Sequence, residues 1–147
     1  KLVGDKQSEV SLKAMKQVAD FSDSSTTAAM VIWLNTHRSA CLKAAPTIRE
    51  HCIFAIYTTG QSARHDPATS KLRIAAAKSL RPYLQATIPK AREVAAVALS
   101  FVGNRDDAAF VMKLVEQEEQ NQFPTANNPE TVAHIESIGL TLQKQPN

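Results

Sequence analysis

Four histidines and two cysteines are the residues here best suited to metal or nucleophilic chemistry: His37, His51, His65, His134, Cys41 and Cys52. His37 and Cys41 stand four apart and would share one helix face, with His51 and Cys52 following. A structural zinc site needs four converging ligands, usually in recognisable pairs. Adjacent His51 and Cys52 would point about 100° apart on a helix, so one ion is hard for both to reach. The expectation is no metal, with imidazoles at the surface and a buried thiol at Cys52. His65-Asp66 invites an acid–base reading, but sequence neighbours rarely form a productive dyad, and Asp66 suits a helix cap. The chain has no Gly-x-Ser-x-Gly elbow, recognisable Cys–His arrangement or Gly-rich phosphate loop. Asp106-Asp107 suits the positive end of a helix, and Glu118-Glu119 an exposed helix end. The expectation is a protein that is not an enzyme and carries no cofactor.

Charge is the sharper signal. The total over 147 residues is only +3, but it is segregated. Residues 1–37 are neutral, residues 38–92 carry +8, and residues 93–147 carry −5. Within the basic block, Lys71, Lys78 and Arg81 fall within about 80° of one another on a helix. They lie opposite a stripe of Leu72, Ala76, Leu80 and Tyr83, with Arg64 and Lys90 near the ends. Such a ridge suits an acidic partner, expected to be protein rather than nucleic acid, because aromatics for base stacking are few and the acidic third would repel phosphates. Self-association between the +8 and −5 segments is also open.

The elements that must position these groups are helical. There are 22 Ala against 4 Gly and 8 aromatics, a balance that favours helices over turn-dense sheets. Punctuation predicts seven: about Ser8 to Phe21, Thr26 to Cys41, Pro46 to a stop at Gly60, a start at Asp66-Pro67, Pro89 to Val102, Asp106 to about Gln120, and Pro129 to about Gln143. The helix from Pro46 is apolar nearly all round and should lie inside, and Trp33 reads as core. The longest strictly apolar run, Ala28 to Leu34, is far short of the roughly 20 residues that span a bilayer. That run length points to a soluble chain forming a single domain over residues 1–147. The chain opens without an initiator Met or a leader pattern, so a cytoplasmic or an exported setting is open. Cys41 and Cys52, with ten residues between them, are compatible with one disulfide but do not require it.

Three helices share a pattern of an apolar residue, Arg, small residues three and six later, then an aliphatic. It reads Ile48-Arg49…Cys52…Ala55-Ile56, then Leu72-Arg73…Ala76…Ser79-Leu80, then Ala91-Arg92…Ala95…Ala98-Leu99. This resembles the HEAT-like helical repeat, best over Arg92 to Leu114 and more loosely over residues 46–120. The resemblance implies a right-handed α-α superhelix, a short solenoid of about seven helices; the alternative is an irregular Ala-rich bundle. It implies that Arg49, Arg73 and Arg92 are structural, with Asp66 and Asp106 as partners, and that Cys52, Ala76 and Ala95 mark helix contacts. The Arg spacings, 24 and 19 residues, are shorter than such repeats usually take. The expected function is a non-catalytic scaffold or adaptor that binds protein through Lys71, Lys78, Arg81, Arg64 and Lys90. The alternative is nucleic-acid binding through residues 38–92, as some HEAT-like proteins do.

Overall fold

Polar caps and prolines divide an Ala-rich chain into short rods, and those rods are all helical. The structure, a computed structural model, describes residues 24–43 and 46–146. Among them are seven α-helices and no strand. They are α1 (Ser24–Thr36), α2 (Arg38–Lys43), α3 (Arg49–Ala63), α4 (Lys71–Leu80), α5 (Pro89–Val102), α6 (Arg105–Glu119) and α7 (Pro129–Gln143). Short 3₁₀ segments at Pro46–Ile48 and Arg81–Gln85 lead into α3 and out of α4. The helix expected over Ser8 to Phe21 lies outside the described residues.

The starts of α5, α6 and α7 follow their sequence signals. Pro89 and Pro129 open their helices, where a fixed φ helps and no N–H is lost. Asn104 and Asp107 form a reciprocal capping box: the Asn104 side chain accepts from the Asp106 N–H, and Asp107 from the Asn104 N–H. Three other boundaries differ from expectation. The second helix breaks at His37, so α1 and α2 are separate. Helix α3 runs past Gly60 to Ala63. Gly60 is a contact rather than a stop, because a Cβ there would lie 2.7 Å from the backbone of Ala98 on α5. Helix α4 starts at Lys71 with Ser70 as its cap, accepting from the Leu72 and Arg73 N–H groups. Asp66 instead accepts from the Ser24 hydroxyl, tying the start of α1 to the α3–α4 loop.

Helices α3, α5 and α7 begin 40 residues apart, at Arg49, Pro89 and Pro129, and lie side by side in one direction. At their first turns, Arg49, Lys90 and Asn128 line one groove. Further along, Gly60 meets Ala98, and Arg64 lies over the Phe101 ring. Past their ends, Val102 and Gly103 share a recess with Gln145 and Pro146. Burial repeats at the same interval. Ala55, Ala95 and Ile135 are buried, as are Thr58, Ala98 and Ile138; Thr59, Leu99 and Gly139; and Ser62, Val102 and Leu142. The 3.6-residue period therefore aims one stripe of each helix at one continuous core, to which α1, α4 and α6 also contribute. Trp33 is part of that core, as expected.

Helices α1 and α2 are held by specific bonds as well as by apolar contact. A disulfide joins Cys41 of α2 to Cys52 of α3. Cys52 is thus the buried small residue the repeat pattern asked for, but not a free thiol. Thr27 donates to Ser62 inside the core, and both the N–H and the hydroxyl of Thr87 donate to the Leu42 carbonyl. The buried Tyr83 hydroxyl donates to the Leu34 carbonyl at 2.6 Å. Burial pushes the phenol up to about 12, with the Arg38 charge pulling weakly the other way.

Two measurements follow. Gly60→Ala should destabilise the chain in urea unfolding by more than about 2 kcal/mol, because the clash with Ala98 backbone outweighs the roughly 1 kcal/mol gain in helix propensity. A neutral or stabilising effect would contradict the close approach. Tyr83 ionises more readily unfolded than folded, so its contribution is intact below pH 10 and fades as pH rises from 10 to about 12. Tyr83→Phe lacks this sensitivity, and its stability gap from the parent should narrow on the order of 2 kcal/mol over that window. A gap constant from pH 9 upward would be inconsistent with a buried phenol.

Candidate functional site

Helix α4 turns Ala76, Ala77, Ser79 and Leu80 inward, which leaves Lys71, Ile74 and Lys78 on its outer face. Ile74 is 44% exposed and stands between the two lysines. Beyond α4 the 3₁₀ segment carries Arg81 toward α6. Its Nε lies 2.6 Å from the buried carboxylate of Asp107, and its guanidinium is 4.8 Å over the ring of Phe110, itself 44% exposed. The expected ridge is thus two free lysines flanking Ile74, continued by an arginine already engaged in an ion pair.

The other expected members are elsewhere. Arg64 ends α3 and lies 5.5 Å over Phe101 near the end of α5. Lys90 opens α5 and pairs with Glu93 at 3.1 Å, about 16 Å of helix rise from Phe101. The five cations do not form one surface; Lys71 and Lys78 are the pair that share a face.

The three motif arginines occupy three different environments. Arg49 is exposed at the start of α3. Arg73 donates to the carbonyls of Arg64, Asp66 and Phe101, joining the ends of α3 and α5. Arg92 is fully buried and grips Glu118 at 3.1 and 3.2 Å. The expected acids are therefore replaced: Asp66 serves Arg73 through its backbone carbonyl, while Glu118 and Asp107, not Asp106, make the buried ion pairs. These two acids are eleven residues apart on α6, three turns along one face, so Arg81 and Arg92 clamp that helix at both ends. Cys52, Ala76 and Ala95 are all buried, as the repeat pattern anticipated.

The remaining candidates occupy separate environments. His37 stacks on Trp33 at 4.2 Å, with Nδ1 against the Trp33 carbonyl, and Cys41 is in the disulfide. His51 is buried and His65 exposed. Among the described residues no group of three His, Cys, Asp or Glu is placed to hold a metal ion, and no helix is long and apolar enough to cross a membrane.

Among the concavities lined by the described residues are the following. The recess beside Ile74, bordered by Arg73, Arg81 and Asp107, holds about 180 Å³, below the roughly 300 Å³ where small-molecule pockets begin. An open groove of about 680 Å³ lies at the first turns of α5 and α7. A third, about 400 Å³, runs between α6 and α7. Sequence reasoning did not single out Ile74 or Phe110; it gave Asp107 only a place at a helix start and put Glu118 at an exposed helix end, whereas both acids are buried in ion pairs. The eleven-residue spacing of the two acids matches that of Arg81 and Arg92 and was the available signal.

Removing one member of the buried pair strands a charge, which costs about 3–5 kcal/mol. Glu118→Gln should lose about that much in urea unfolding, and adding Arg92→Met should restore part of it. Loss below about 1 kcal/mol in the single variant would show that the pair is not the clamp described.

Comparison with protein-family models, with curated proteins and with solved structures gives no match to this chain.

Proposed function

We propose that the chain is a short α-α superhelix of the HEAT-like kind that binds another protein, without catalysis, through the outer face of α4. The 40-residue register of α3, α5 and α7 supports the solenoid reading, since it falls within the usual period of helix-pair repeats. Helix α4 and the Arg81–Gln85 segment, then α6, fill the intervals as the second helix of each pair. The buried Arg92–Glu118 pair plays the part that the repeated Arg plays in that family. Stacked helices leave an extended outer surface, which is how such folds bind partners.

The single observation that carries the binding reading is Ile74, exposed between Lys71 and Lys78, with Phe110 nearby under Arg81. Apolar anchors ringed by cations fit an acidic protein surface, where the apolar contact supplies affinity and the charges supply orientation. Nucleic acid is the weaker fit: Arg73, Arg81 and Arg92 are engaged inside the fold, which depletes the basic block of groups able to neutralise phosphates.

A photo-cross-linking residue at position 78, with position 141 on α7 as control, tests this in the native host. The expected result is a protein linked through an acidic surface from position 78 and not from 141, with yield reduced at least tenfold by Lys71→Glu. Equal linking from both positions, or none from 78, would overturn the reading. Lys71 and Lys78 are exposed, so their substitution leaves the core intact.

A further inference from the structure

We infer that the partner of the α4 ridge is a second copy of this chain, with the ridge seated in its groove between α6 and α7. The inference rests on the ridge being a binding surface. Internal pairing removes Arg73, Arg81 and Arg92 from the free cations and Asp107 and Glu118 from the free anions. Among the exposed charges that remain are Lys71 and Lys78 on α4, and Glu119 and Glu136, which line the groove of about 400 Å³. The lining between them includes the apolar Val115, Val132 and Ala133, with Asn121 and Asn127 at the loop end. Glu118 also borders it, but its charge is met by Arg92.

The two faces match in pattern as well as in sign. On α4, Ile74 lies three residues after Lys71 and four before Lys78, so one apolar knob stands between two cations along a single helical stripe. Between α6 and α7, apolar lining stands between two carboxylates. An amphipathic helix face laid into such a groove is a common recognition mode, with the i, i+3, i+7 residues as anchors. Ridge against ridge or groove against groove would oppose like charges, so the contact sets a ridge against a groove. Such a contact either closes reciprocally in a two-fold dimer or leaves one ridge and one groove free and extends into a ring or a row of copies.

Sedimentation of the full chain from micromolar to millimolar concentration tests this, with charge-reversed variants. The wild type should associate reversibly at low salt and dissociate at about 0.5 M salt, where the Debye length falls to a few ångströms. Lys71→Glu with Lys78→Glu, and separately Glu119→Lys with Glu136→Lys, should each weaken association at least tenfold. Mixing those two variants, or combining all four changes in one chain, should restore it. Because every substituted side chain is exposed, circular dichroism should show native helix content in each. A wild type that stays monomeric at millimolar concentration and low salt would overturn self-docking. So would association that neither pair of reversals weakens, or a mixture that fails to recover. An acidic protein of another sequence cross-linked from position 78 would likewise exclude a second copy as the occupant, while leaving the ridge reading intact.

Discussion

Arg92 and Glu118 are an ion pair with no exposure to solvent, and the packing of the second half of the chain depends on how completely they are satisfied. All five guanidinium N–H groups have acceptors. Nε and Nη2 donate to the two carboxylate oxygens, Nη1 to the Ala86 and Thr87 carbonyls, and Nη2 also to the Thr125 carbonyl. Glu118 in turn accepts from the backbone and side-chain amides of Asn127, and the Phe123 ring lies 3.8 Å from the guanidinium. Desolvating two charges costs several kcal/mol each, so a buried pair is tolerable when every donor and acceptor is met. The groups that meet them are the backbone leading into α5 and the loop leading into α7. One side chain thereby fixes the ends of two neighbouring helices and the helix between them.

Arg73 does the converse at the other end. It donates to carbonyls at the ends of α3 and α5, where helix dipoles are negative and carbonyls lack helical partners. A bolt at each end, with Gly60 and Ala98 in contact between α3 and α5, holds same-direction helices together without the tight turns that antiparallel neighbours use. The arginines are costly to bury, and that cost is why their partners are backbone groups whose positions the helices already define.

This also explains what could be read from residue types and what could not. All-helical architecture, the last three helices and the buried positions Cys52, Ala76 and Ala95 were legible, because caps, prolines and small-residue spacing act locally. The 40-residue register was not, since Thr58, Ala98 and Ile138 occupy equivalent buried places while sharing no chemistry. The Arg pattern marked buried small residues but grouped α4 with α3 and α5, because a small-residue stripe looks alike on any packed helix. Gly60 read as a stop because its use is a long-range contact, invisible in its neighbours. Likewise, Asp66-Pro67 has the form of a helix start, but Ser70 holds that place and Asp66 reaches Ser24.

The candidate surface was half legible for a related reason. A cation on a helical stripe is exposed by default, so Lys71 and Lys78 were placed correctly. Arg81 was not, because the 3₁₀ segment rotates it away from α4 toward Asp107, and the tighter winding of that segment breaks the 100° progression. The same rotation shapes the outer surface. It draws the guanidinium over Phe110, so the apolar anchors on the outer surface come from two helices, Ile74 from α4 and Phe110 from α6. The Arg81–Asp107 bond sets their separation. A surface assembled across an ion pair with only one end buried responds to whatever competes for that arginine, and an acidic partner is such a competitor. Under the proposed binding, affinity at this surface would be coupled to how firmly α6 is held, which leads back to Glu118 three turns away on the same helix face.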